Sequence, residues 1–323
     1  MANLLSEARP DLEIAFLVRR YTAPLLAHHV PPYPAQVIEE KPPLSTTQAI
    51  IHVYPRFSLA WRAFQAGIPL RVGTSRRWYH WLLCNERPTV ARRYSFLHES
   101  LLNLRLLLPL LPPAYRDKVL AMKFEEVLPY RPRLRPMEPL PEFVQDTLSR
   151  YSLYIGLHVG GKGGAPTWPR SSWVGLVEIL RRRYPDALFV FTGSAEEKAL
   201  IDPVAAILPP SQVLRTEGRL SMGQLISVLA RLQVLFGGST GPLHIAAALD
   251  VPTIAVFPAT AAMGPWRWRP LSPFSQVFAR EEVCARCTHP RTCLCLASIE
   301  PLRLADALPK ALHLKGSQLS EQP

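Results

Sequence analysis

The sequence has no run of about 18 uninterrupted apolar residues, the length a helix needs to cross a bilayer, although 48% of its 323 residues are hydrophobic. Its most apolar stretch, Ser100 to Leu111, is broken by Asn103 and Arg105 and runs into Pro109, Pro112 and Pro113. The leucine stripe there suits a core helix first and a membrane-surface contact second. Met1 to Asp11 carries early charges and does not read as a secretory signal, so the expected compartment is the cytoplasm. Cysteine is scarce: there are five, four of them between Cys284 and Cys295, which is not the pattern of a secreted disulfide scaffold. Lysine is scarce too, with 7 against 30 arginines. The net charge of +12 favours phosphorylated substrates or other anionic partners, because arginine grips phosphate and carboxylate in pairs of hydrogen bonds. A genome that writes Arg for Lys accounts for the same bias. No basic run is read as interleaved with aromatics in the way a nucleic-acid groove would want, so no nucleic-acid partner is expected. There is no Gly-x-x-x-x-Gly-Lys-Ser/Thr loop, and no Gly-x-Gly-x-x-Gly opens a βαβ unit.

What is present is an alternation of strands and helices, the signature of parallel sheets covered by helices. In the first half, strands are expected over Leu12–Val18, Gln48–Val53 and Ile68–Gly73, and helices over Tyr21–His28, Phe57–Ala66 and Tyr94–Leu108. Pro129 to Pro141 holds five prolines and three arginines and reads as a stiff linker. The second half alternates more clearly. Its strands are Leu153–Val159, Ala187–Thr192, Gln212–Leu214, Val234–Phe236 and Thr253–Phe257. Its helices are Ser172–Tyr184, Ala195–Leu208, Met222–Leu232 and Pro242–Leu249, with Ser221 as an N-cap. Pro301–Leu314 forms a last helix, and the tail beyond Gly316 is expected to fray. The division is 1–135, 142–300 and a terminal helix and tail, 301–323.

Ligands of open α/β sheets bind outside the carboxyl ends of the strands. The loops after Val159, Thr192, Leu214 and Phe236 should therefore converge. The fourth, Gly237-Gly-Ser-Thr-Gly-Pro242, opens a small-residue helix whose free N–H groups suit an anion. Ser239, Thr240 and Gly241 are the candidate phosphate contacts. His244, one turn on, is either a ligand contact or a packed core histidine. Gly160 and Lys162, in His158-Val-Gly-Gly-Lys-Gly-Gly164, either line the same site or form a plain turn. Gly193 belongs to the second-strand loop, and Arg170 is a further phosphate candidate at a helix entrance. Cys284, Cys287, Cys293 and Cys295 are a structural metal site, buried thiols or a disulfide pair. Isolated Cys84 suits the core.

Ser239-Thr-Gly-Pro-Leu-His244, followed by Ala246-Ala-Ala-Leu-Asp-Val-Pro252, resembles the glycosyltransferase family 9 heptosyltransferases that build the lipopolysaccharide core. Gly156–Gly164 with Trp168-Pro169, Phe191-Thr-Gly193, and the cysteine cluster followed by Ile299-Glu-Pro301 agree with it. The resemblance implies a GT-B fold of two Rossmann-like domains facing a cleft. It implies inverting, metal-independent transfer from a nucleotide sugar, typically ADP-heptose, to a lipid-linked or glycan acceptor at the inner face of the membrane, with no cofactor required. It places the donor on Gly160, Lys162, Gly193, Ser239, Thr240, Gly241 and His244. Ser239 stands where many members have Asp. The family's opening strand and Gly-Asp turn, which supplies the general base, have no counterpart after Met1. This is expected to mean either a start assigned about twenty residues late or a nucleotide-sugar-binding protein without transfer. Asp11 and Glu13 are out of place to substitute. A GT-B epimerase would need acidic residues that the cleft-facing motifs do not offer.

Overall fold

The computed structural model describes residues 1–90, 92, 95–161, 166–284 and 293–320, with side chains as far as 314. Two compact units emerge. One comprises Met1–Ala27 and Pro32–Arg131, the other His28–Pro31 and the chain from Pro132 onward.

The first unit holds two separate parallel pairs. β1 (Phe16–Val18) pairs with β2 (Ala35–Val37), and β3 (Ala49–Ile51) with β4 (Leu70–Val72). β2, with its mostly exposed Ala-Gln-Val, carries too little apolar periodicity to be read from sequence. Helices Trp78–Leu83, Pro113–Ala121 and Phe124–Val127 were likewise not expected. The helix expected from Tyr94 begins at Glu99, capped by His98 Nδ1, which accepts from the Ser100 amide at 3.2 Å. It tightens into a 3-10 turn, Arg105–Leu110, at Pro109, as the missing proline N–H requires. Leu101, Leu102, Leu104, Leu106, Leu107 and Leu111 are all buried. The stripe is thus core, and the membrane-contact alternative for it falls.

The second unit is a six-stranded parallel sheet: β5 (Leu153–His158), β6 (Ala187–Phe191), β7 (Val213–Arg215), β8 (Val234–Gly237), β9 (Thr253–Val256) and β10 (Ser275–Phe278). The order is β10-β9-β8-β5-β6-β7. β10, an edge strand that follows a Trp- and Pro-rich stretch, was not anticipated. Strand alternation sends Ile155, Leu157, Phe189, Phe191, Val234 and Phe236 into one core. There they meet Trp173, Leu176 and Leu180 of helix Arg170–Arg183, and Leu304 and Leu308 of helix Pro301–Ser320. Leu243 of helix Gly241–Ala248 packs on Ala255 and Phe257, so helices cover both faces. Ser221 caps helix Met222–Arg231 in a reciprocal box: its Oγ accepts the Gln224 N–H, and Gln224 Oε1 accepts the Ser221 N–H, both at 3.0 Å. The last helix runs on to Ser320, through the tail expected to fray, because an established helix extends more cheaply than it nucleates. From Pro132 the proline-rich stretch is irregular but anchored. The Leu134 amide donates to Ala248 O at 2.8 Å, and Arg135 N to His28 O at 2.9 Å. Among the described residues no helix is long and apolar enough to cross a membrane.

Candidate functional site

β5 is the first strand of its sheet in sequence and lies inside it. The chain lays β6 and β7 on one side of it, then crosses to add β8, β9 and β10 on the other. The strand order reverses between β5 and β8, the place where loops part and a crevice opens. The register sets His158 opposite Gly237 and Leu157 opposite Phe191. The loops leaving β5, β6 and β8 therefore start side by side.

Beyond β8, Thr240 takes an extended backbone as N-cap of helix Gly241–Ala248, but its side chain caps no amide. The hydroxyl donates instead to Gly238 O, at 3.4 Å. Pro242 fills the first turn without wasting a donor. Ser239 and Thr240 are half-buried, and Gly241 is exposed with open space beside its Cα. A β-carbon on Gly161 would lie 3.7 Å from the Thr240 methyl and 3.5 Å from that of Thr167, so the β5 loop lies directly over the turn. His244 is half-buried one turn along the helix.

Behind this edge is a buried polar cluster that the sequence reading passed over. His158 Nδ1 is 3.0 Å from Thr192 Oγ1 and 3.1 Å from its carbonyl oxygen. Burial pushes the His158 imidazole below its ordinary pKa, against the opposing pull of the Glu197 charge. Glu197, itself buried, accepts the Ser194 N–H at 2.8 Å and closes a capping box with Ser194. The bare Cα atoms of Gly160 and Gly193 both rest on Glu197. Gly218, at φ +68°, donates its N–H to Gly193 O at 3.0 Å, and Thr216 Oγ1 donates to Phe191 O at 2.8 Å. The expected convergence is therefore physical: the β5 loop touches those of β8 and β6, and the β6 loop touches that of β7. The signal for Glu197 was Ser194-x-x-Glu197, a capping box written in the sequence.

Arg170 is exposed at the first turn of its helix, where a cation meets the positive end of the helix dipole. That placement costs a few tenths of a kcal/mol or more unless an anion arrives, on the order of 0.3–1 kcal/mol. Lys162 lies outside the described residues, as does Cys287 and with it the four-thiolate cluster. Cys293 and Cys295 are buried in the main core, and Cys284 packs half-buried against it. Among the described residues no group of three His, Cys, Asp or Glu side chains is placed to hold a metal ion. Cys84 is buried, and desolvation pushes its thiol up to about 11, as befits a core residue. Asp11 pairs with Arg9 at 2.6 Å, and that bond holds its carboxyl below the ordinary range, which makes it a weak proton acceptor.

The chain aligns with an Escherichia coli ADP-heptose lipopolysaccharide heptosyltransferase II structure over 97% of its own length and 94% of that chain. The TM-score is 0.69 at 20% identity. The fold is thus that of the GT-B glycosyltransferases. Residues 138–296 match the model of glycosyltransferase family 9 (heptosyltransferase), and the chain is a glycosyltransferase carrying that domain. A putative glycosyltransferase of Haemophilus influenzae is 24% identical over 289 residues, 83% of this chain and 80% of that one. A lipopolysaccharide heptosyltransferase 1 of Pseudomonas aeruginosa is 34% identical over 128 residues, 37% of this chain and 35% of its own.

Proposed function

We propose that the chain transfers a heptose-type sugar from a nucleotide-sugar donor, ADP-heptose, to an acceptor of the lipopolysaccharide-core type, with inversion and without a metal ion. One observation carries this most directly. The Gly161 loop lies over the Thr240–Gly241 turn at the point of strand-order reversal, where a helix start receives no side-chain cap. The names of the relatives support the choice of sugar and acceptor.

In this reading Ser239, Thr240 and Gly241 hold the diphosphate with hydroxyl and amide donors. His244 reaches a phosphate or a sugar hydroxyl, and Lys162 is assigned the neutralising charge. Gly160 and Gly193 keep the edge free of side chains. The acceptor hydroxyl oxygen attacks the anomeric carbon as the bond to the diphosphate oxygen breaks, and the hydroxyl proton passes to water, no residue of this chain being assigned as its base. Negative charge grows on the departing nucleoside diphosphate, and the helix start with its amides is aimed at that charge. The acceptor, lipid-linked or glycan, falls to the first unit.

Calorimetric titration with ADP and UDP tests the donor site. Transfer from ADP-heptose to a deacylated core acceptor, with the product's anomeric configuration read by NMR, tests the reaction. No heat with any nucleoside diphosphate would remove the assignment.

A further inference from the structure

We infer that the face built by helices Phe57–Gln65 and Trp78–Leu83 of the first unit is a docking surface for an anionic phospholipid bilayer.

Both helices are inside out. In Phe57–Gln65 the small Ala60 and Ala63 are fully buried, while Phe57, Trp61 and Phe64 point to solvent at spacings of four and three. In Trp78–Leu83 the inward residues are Tyr79, His80 and Leu83; Trp78, Trp81 and Leu82 are 70%, 60% and 70% exposed. The outward rings are joined. Phe64 stacks on Trp61 at 5.9 Å, Trp61 on Phe57 at 6.4 Å, and Phe57 on Trp78 at 6.1 Å. Tyr54, 72% exposed, stands at the start of the first helix. A contiguous apolar face of this kind on one unit marks a contact surface.

The charge around it is predominantly positive. Arg56 lies over the Tyr54 ring at 5.3 Å, Arg71 over Phe64 at 5.5 Å and Arg87 over Trp81 at 4.8 Å. Arg76 and Arg77 are exposed beside Trp78. No Asp or Glu occurs between Glu40 and Glu86. The pairing of aromatics with arginine, not expected from the sequence, is present in it at Arg76-Arg77-Trp78-Tyr79, and the fold adds Arg56, Arg71 and Arg87 to it. Tryptophan and tyrosine favour the headgroup boundary, and arginine keeps its charge at lipid phosphates while its stem lies on apolar surface. A second copy is a poor occupant, since a two-fold contact would set arginine against arginine. Nucleic acid is a poor occupant too, because the ring faces that bases would stack on are spent on each other.

The test needs neither sugar nor nucleotide, so it stands or falls apart from the donor and acceptor assignment. The full chain is sedimented with vesicles of phosphatidylethanolamine and phosphatidylglycerol, and with phosphatidylcholine vesicles. Strong partition onto the anionic vesicles is expected, with quenching of tryptophan fluorescence by brominated lipid in the unmodified protein. Trp78→Ser with Trp81→Ser lowers the partition by about tenfold at unchanged melting temperature. Arg76→Gln with Arg77→Gln lowers it on anionic vesicles alone, by about fivefold per charge. Equal partition of the wild type and the tryptophan variant, or absence of quenching, overturns the inference. So does a lipid-free dimer, seen by light scattering, that the tryptophan variant dissolves.

Discussion

The bare Cα of Gly160 rests against the Glu197 carboxylate, so that a β-carbon at this position would overlap Oε1 and Cδ. Glu197 cannot easily retreat, because its other oxygen accepts the Ser194 amide at 2.8 Å. Gly160→Ala is expected to destabilise the second unit by about 1–3 kcal/mol and to weaken ADP binding. Adding Glu197→Ala to it should recover part of the loss, since the two residues are in contact. Thermal melting and calorimetry of the two single variants and the double read both effects. Strictly additive losses would show that the contact is not the cause.

His244→Ala is expected to weaken nucleotide binding by about tenfold, roughly 1.4 kcal/mol, the scale of one hydrogen bond to a charged group. The melting temperature should hardly move, because the side chain is only half-buried. Undiminished affinity for ADP would return His244 to a packing role.

Stability should fall as the medium is acidified below about pH 6.5. Burial, reinforced by the neighbouring His80 charge, lowers the His52 imidazole to about 4. Burial also lowers His80, against a backbone bond from Thr74, and His158. In the unfolded chain these rings take up protons near pH 6.5, while the folded chain refuses them until lower pH. Between the two values the unfolded state binds more protons, so the stability present above pH 6.5 is lost as pH falls toward 4. His52 alone contributes on the order of 3 kcal/mol to this loss. His52→Leu should flatten the slope of unfolding free energy between pH 6.5 and 4, measured by urea denaturation. A slope identical to that of the wild type would assign the acid sensitivity elsewhere.

The second unit was legible because its strands are short apolar runs closed by glycine or polar turns. Val234–Gly237, followed by Ser239-Thr-Gly-Pro242, could be read as strand, turn and helix directly. The convergence of four loops followed from the rule that an open parallel sheet gathers its ligand outside the carboxyl ends of its strands, before any side chain was placed. Glu197 escaped notice because a carboxylate near a helix start usually faces water; only the fold shows two glycines packed on it. β10 escaped because an edge strand after Trp266, Trp268 and several prolines lacks the bounded apolar run of its neighbours. The first unit was harder to read. Its strands are three residues long, and helix Phe57–Gln65 presents its bulky residues outward. The usual inference that large apolar side chains point inward gives the right helix and the wrong face.

That inversion has a consequence for how the surface can change. Ala60 and Ala63 make the fully buried contacts of helix Phe57–Gln65, while the half-exposed rings of Phe57, Trp61 and Phe64 pack at the edge of its seat. The outward residues can be exchanged, one ring for another, at less cost to folding than an enlargement of Ala60 or Ala63, which sit in a closed contact. What this face adheres to is therefore freer to drift or be redesigned than the scaffold beneath it.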